Sequence, residues 1–236
     1  MKRIAFFVLG ALLLGSCSDM GDSLKDFVTE ETIYPAKFDK ADAYTGYENV
    51  VIDLLNNVGR DVPASQIHLA RATKTVVEYG DGPPLVIDSV CSSVKITGLT
   101  QPAIYKFIIY TMDDDKNKSL PVEVSRAPFT AADKELLLIP APVIEHLGGD
   151  VKVEWQQNIT SILLTYRDRL IYSYTPVGSG TAVRDTISTA SRPSFIVTNI
   201  AVGATLHIQY RVKPKVSNVE ILDEIWLERP LVIPAP

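Results

Sequence analysis

The chain has 236 residues and a mass of 25.9 kDa, enough for one large domain or two ordinary ones. Hydrophobic residues make up 46% and charged residues 22%, as in folded proteins. The formal charge of −5 becomes −7 once the two positive charges of residues 1–16 are set aside, and such acidity repels phosphate backbones and excludes nucleic acid as a partner.

The first predicted element is a lipoprotein signal peptide over residues 1–16. Lys2 and Arg3 form its positive start, and Ile4 to Leu14 is an apolar stretch interrupted only by Gly10. That stretch is too short to span a bilayer, which takes about 20 apolar residues, and it suits a signal-peptide core. Leu14-Gly15-Ser16-Cys17 resembles a bacterial lipobox, in which the thiolate of Cys17 takes diacylglycerol and becomes the new N-terminus. Membrane lipid is thus the expected partner of acylated Cys17. The acids Asp19 and Asp22 resemble the signal that sends Bacteroidetes lipoproteins to the outer face of the outer membrane; the other reading is a solvated segment. Residues 17–31 are polar and weakly periodic and read as a flexible tether. With Cys17 acylated, only Cys91 remains, so no intrachain disulfide is expected.

From residue 32 the pattern repeats once at a spacing of 101. VVIDL at 50–54 aligns with VKVEW at 151–155, and apolar residues coincide at 50/151, 52/153, 54/155, 94/195, 96/197, 99/200 and 107/208. Two domains of like fold follow, over 32–129 and 149–236, with a linker over 130–148 in which TAADKELL predicts a short helical turn capped by Thr130. Each repeat alternates with period two between Gly, Pro, Asn and Asp clusters, which predicts half-buried antiparallel strands and an all-β fold of two tandem sandwiches.

GLTQPAIYKFII, with Leu99, Tyr105, Phe107 and Ile109, resembles the fibronectin type III signature, and VKVEW resembles its second strand with the core tryptophan. The first repeat has Leu54 in place of that tryptophan, and the second has Leu206 in place of the tyrosine. The pieces IYPAKFD, YTGYENVVIDL, YKFIIYTMDDDKNKSLPVEV and IQYRVKPKVSNVEILDEIW resemble a family of Bacteroidetes lipoproteins found beside polysaccharide-utilisation genes. The resemblance implies a surface context, with polysaccharide and neighbouring outer-membrane lipoproteins as partners, and no mechanism.

No HExxH, GxSxG, P-loop or CxxC is present, and His68, His146 and His207 are isolated, so an enzyme is not expected. In MDDDKNKS, Asp113, Asp115 and Asn117 alternate as in calcium loops, but Lys118 stands where such loops need glycine; the other reading is a solvated hairpin, and no cofactor is expected. The corresponding segment of the second repeat, KPKVSN at 213–218, reads as a basic loop. ILLTYRDRLIYSY at 162–174 predicts a hairpin turning at Arg167-Asp168-Arg169. Tyr166, Tyr172 and Tyr174 then either stack on sugar rings at an exposed edge, with Arg167 or Arg169 bonding hydroxyls, or complete the core with their hydroxyls at its rim. The expected function is a non-enzymatic accessory lipoprotein that binds or presents glycan at the cell surface. The alternative is a structural spacer or adhesion module; a glycoside hydrolase ranks last.

Overall fold

The structure, a computed structural model, describes residues 34–55, 63, 66–159, 164–188 and 192–236. The signal peptide, Cys17 and the tether lie outside the described residues, as do the side chains of residues 164–169 and 188.

The first half holds β1 (Asp42–Gly46), β2 (Asn49–Asp53), β3 (Lys74–Tyr79), β4 (Leu85–Ile87), β5 (Ser93–Thr97), β6 (Tyr105–Met112) and β7 (Val122–Arg126). They form a three-stranded sheet, β1-β2-β5, and a four-stranded sheet, β4-β3-β6-β7, with antiparallel pairing throughout. A single helix turn, α1 (Ala131–Glu135), follows. Thr130 caps it as predicted: its Oγ1 accepts from the Asp133 amide, and the Asp133 carboxylate accepts from the Thr130 amide, which completes a capping box.

The second half holds β8 (Val143–Leu147), β9 (Asp150–Glu154), β10 (Leu164–Tyr174), β11 (Val183–Ser188), β12 (Ser194–Val197), β13 (Thr205–Val216), β14 (Val219–Glu220) and β15 (Ile225–Val232). The sheets are β12-β9-β8 and β11-β10-β13-β15, with β14 paired to the end of β13. The strand order of the first half therefore recurs, and the fold is all-β with two fibronectin type III-like sandwiches in tandem.

The 101-residue spacing survives in space: β1 and β8, β2 and β9, and the starts of β5 and β12 are each offset by it. The paired apolar positions are also the cores. Val50, Ile52, Leu54, Val94, Ile96, Leu99 and Phe107 are buried in one; Val151, Val153, Trp155, Val197, Ile200 and Ile208 are buried in the other, with Phe195 half-buried against them. Trp155 donates from Nε1 to the Pro140 carbonyl (2.8 Å) and meets the Tyr210 ring edge-on at 6.0 Å. Such pairing lets a buried indole keep its polar atom satisfied.

Two sequence expectations need correction. The linker does not run to 148, because Val143–Leu147 pairs with β9 across the Gly148-Gly149 turn, where Gly148 takes a φ of 75° that favours glycine. KPKVSN is not a loop either. Lys213 to Val216 continue β13, and the chain reverses only at Ser217-Asn218, whose φ angles of 52° and 65° suit a tight hairpin. Pro214 suggests a break, yet its carbonyl still accepts from the Ile221 amide (2.9 Å).

The halves meet at a built junction. Phe129 is buried in the second core, while its amide donates to the Gly46 carbonyl (2.9 Å) and its carbonyl accepts from the Glu48 amide (2.7 Å). Asp223 Oδ2 accepts from the Tyr47 amide (2.7 Å) and from Asn49 Nδ2 (2.8 Å), and Lys95 stands 3.7 Å from its other oxygen. The Leu222 amide donates to the Thr45 carbonyl (2.9 Å). Gly46 is required here, since a Cβ would run into Asn49 and Asp223.

Candidate functional site

The predicted hairpin at 167–169 does not form. Residues 164–174 are one strand, and both of its ends pair with β13: Tyr166 stands opposite Val212 and Leu170 opposite Tyr210. Four residue steps on β10 thus match two on β13, so the segment expected to turn is absorbed as a bulge. Both turns and bulges interrupt an alternating pattern, so the alternation alone did not separate them. Arg169 stands opposite Ser188 on β11; Arg167 lies within the bulge.

Tyr172 and Tyr174 lie in the core, the second of the two placements that the sequence allows. They are 8% and 6% exposed, and the Tyr172 ring stacks on Phe195 of the facing sheet at 4.3 Å. Only the hydroxyls reach the rim: Tyr172 toward Asp185 (3.4 Å) and Tyr174 toward Thr198 Oγ1 (3.2 Å). Burial, then the Asp185 carboxylate, raise the Tyr172 phenol above its ordinary pKa, so it stays protonated. Neither ring is open to a sugar.

The opposite face of the same sheet is open. Directly opposed residues on antiparallel strands share a face, so registry defines its rows. Arg184, Ser173, His207 and Pro230 form one row, Thr186, Ile171, Gln209 and Glu228 the next, and Arg211 and Trp226 begin a third. Trp226 is 40% exposed, a large apolar ring at the edge of a polar field. Cross-strand contacts hold the polar groups in place: Arg184 Nη2 donates to Gln209 Oε1 (3.4 Å), His207 Nδ1 lies 3.0 Å from Glu228 Oε1, and Arg211 pairs with Glu224. Four strands spaced by about 4.8 Å give a platform roughly 14 Å across. An aromatic face beside fixed donors and acceptors is suited to stacking and hydrogen-bonding a polyhydroxylated ligand. Sequence reasoning missed Trp226. Its signal was the alternation in IWLERPLV, which puts it on the side opposite the buried Ile225 and Leu227.

The acidic turn between β6 and β7 does not converge on a point. Asp113 accepts from the amide and side-chain nitrogen of Asn117 (2.8 and 3.0 Å), Asp114 accepts from Thr73 Oγ1 (2.9 Å), and Asp115 pairs with Arg71 (3.3 Å). Asn117 therefore turns its nitrogen toward Asp113, which is the geometry of a hairpin closed by its own side chains. Asn117, and after it Arg71, hold the Asp113 carboxyl below its usual range. Among the described residues no group of three or more His, Cys, Asp or Glu side chains is placed to hold a metal ion. Cys91 is partly buried, its amide donates to Thr75 Oγ1 (3.2 Å), and burial pushes its thiol up, away from thiolate chemistry.

Two solved structures illustrate the range of likeness. The chicken interferon gamma receptor alpha chain is 10% identical, with 86% of this chain and 99% of that one aligned at a TM-score of 0.31. A two-domain fibronectin type III segment of chicken tenascin is 12% identical, with 85% and 99% aligned at a TM-score of 0.28. At those scores the fold assignment rests on the strand order. No curated protein matches this chain. Residues 17–157, which run from Cys17 through the first sandwich and the junction to the β8–β9 hairpin, match the DUF4998 family, a domain of unknown function, and the chain belongs to that family.

Proposed function

We propose that this protein is a non-catalytic, lipid-anchored accessory protein of the bacterial outer membrane that binds glycan at the cell surface, with the outer face of β11-β10-β13-β15 as its binding surface. The observation that carries the reading is Trp226, an exposed indole flanked by ordered Arg211, Gln209 and His207. The non-catalytic part is supported by the pairing of the carboxylates on that face, Glu224 with Arg211 and Glu228 with His207, on an open sheet. The anchor is supported by the lipobox at Cys17, and the surface setting by the resemblance to Bacteroidetes lipoproteins.

The test is affinity electrophoresis of the mature chain through gels holding neutral and acidic polysaccharides. At least one polysaccharide retards the wild type, and Trp226→Ala weakens that retardation at least tenfold, as expected for an aromatic hot spot. Equal retardation of both proteins overturns the site.

A rigid spacer is the second reading, favoured by the Asp223 junction, which fixes one sandwich on the other. It is preferred if no glycan is retained while Asp223→Ala changes the solution shape.

A further inference from the structure

We infer that the end of the first sandwich remote from the second rests on the membrane, through a groove walled by Tyr34, Lys37, Lys118 and Leu120. The inference rests on the reading of Cys17 as a lipid anchor. The groove encloses about 440 Å³, with Pro35 and Ser119 completing its wall. Tyr34 and Leu120 are 66% and 72% exposed, large apolar side chains raised into solvent beside two lysines. That pairing, an aromatic and an aliphatic group for the interfacial layer and ammonium groups for anionic headgroups, is the composition of a surface that rests on lipid.

The location selects the occupant. Sixteen residues, Ser18 to Ile33, separate Tyr34 from Cys17. A chain of that length reaches at most about 53–58 Å, so the groove is the part of the described fold nearest the anchor along the chain and is held close to the membrane. Weak contacts with lipid then suffice. The point of entry is also fixed: the Ala36 amide donates to the Ala70 carbonyl (2.9 Å), Thr111 Oγ1 donates to the Ala36 carbonyl (2.6 Å), and Phe38 is buried. The eight residues of β6 run from Tyr105, three residues after Pro102, which lines a hollow at the junction with Phe129 and Val216, to Met112 at the turn that carries Lys118. At about 3.4 Å per residue that is about 27 Å of strand, which places the groove at the pole away from the second sandwich.

Lys37 and Lys118 both face solvent at this end. The aspartates of the adjacent turn are engaged by Asn117, Thr73 and Arg71. Lys118 lies 3.9 Å from Glu78 and 4.7 Å over the Tyr110 ring but keeps more than half of its side chain exposed, and Lys37 has no ion-pair partner among the described residues.

The test uses the mature chain, residues 17–236, with Cys17→Ser so that no acyl group contributes. It is sedimented with vesicles of equal parts phosphatidylglycerol and phosphatidylcholine, and with vesicles of phosphatidylcholine alone. Binding to the anionic vesicles exceeds binding to the neutral ones, Lys37→Glu lowers it about fivefold or more, and Leu120→Glu lowers it further. Val177→Glu, an exposed substitution on the second sandwich, leaves it unchanged. All three side chains are exposed, so each variant melts as the wild type does, and circular dichroism checks this. No preference for anionic vesicles, or equal losses in all three variants, overturns the inference. Palmitate labelling of the full chain against Cys17→Ser tests the anchor separately: labelling without vesicle binding removes the groove alone, and vesicle binding without labelling removes the anchor alone.

Discussion

The two four-stranded sheets share a strand order and differ in how their outer faces are finished. In the first sandwich the outward aromatic is Tyr110, opposite Val76, and the two are only 6% and 1% exposed. The Lys118 ammonium sits 4.7 Å above the Tyr110 ring, and the hydroxyl donates to Glu78 (2.7 Å). In the second sandwich the outward aromatic is Trp226, 40% exposed, with ordered polar side chains around it. One copy of the fold has closed its outer face with its own side chains, and the other keeps an aromatic in reach of a ligand. Equivalent sheets therefore do not imply equivalent sites.

The largest effect that sharpens this contrast is in the cores, which should behave alike. Trp155→Ala costs about 3–5 kcal/mol and Leu54→Ala, at the equivalent position, about 2–5 kcal/mol, read from chemical denaturation. Tyr172→Ala belongs to the same class and destabilises by about 3 kcal/mol, whereas Tyr172→Phe removes only a long hydroxyl contact and costs under about 1.5 kcal/mol. A stable Tyr172→Ala protein that loses a ligand reverses the assignment of faces.

The junction comes next. Asp223→Ala leaves the Tyr47 amide without its acceptor and Asn49 Nδ2 with the Tyr47 carbonyl alone, and costs about 1–3 kcal/mol, with unfolding of the two sandwiches becoming less coupled. Gly46→Ala acts at the same place by steric conflict, and its effect shrinks in the Asp223→Ala background, a coupling that a double-mutant cycle measures.

The smallest effect concerns pH and only the first sandwich. The Asp113 carboxyl is held below its usual range, first by Asn117 and then by Arg71, so its stabilisation is complete above about pH 4 and is lost as pH falls through the lowered value. Asn117→Ala consequently flattens the acid limb of the melting-temperature profile below pH 4, whereas Trp226→Ala leaves that limb as in the wild type.

The sequence disclosed the sandwiches because each core position recurs at a fixed spacing, and burial follows period two in both copies. It disclosed the tyrosines of β10 as a cluster without revealing their side, since a bulge shifts register by residues that resemble a turn. Trp226 was legible as a strand residue, but its exposure depends on what other strands place over it: Lys118 covers Tyr110 from a loop, and nothing in the second half does the same for Trp226 among the described residues. The junction was illegible for a related reason. Gly46 and Asp223 lie far apart in the chain, and the absence of a Cβ in one acquires meaning only beside the carboxylate of the other.

The open outer face of the second sandwich is tested most directly by tryptophan fluorescence, because the chain has two tryptophans and only one of them is exposed. Titration with a retained polysaccharide changes the emission of the wild type and of Trp155→Phe by the same relative affinity, and Trp226→Phe, which reports from buried Trp155 alone, gives no response. A response that persists in Trp226→Phe and vanishes in Trp155→Phe, or a ligand that binds without altering either tryptophan, contradicts the account.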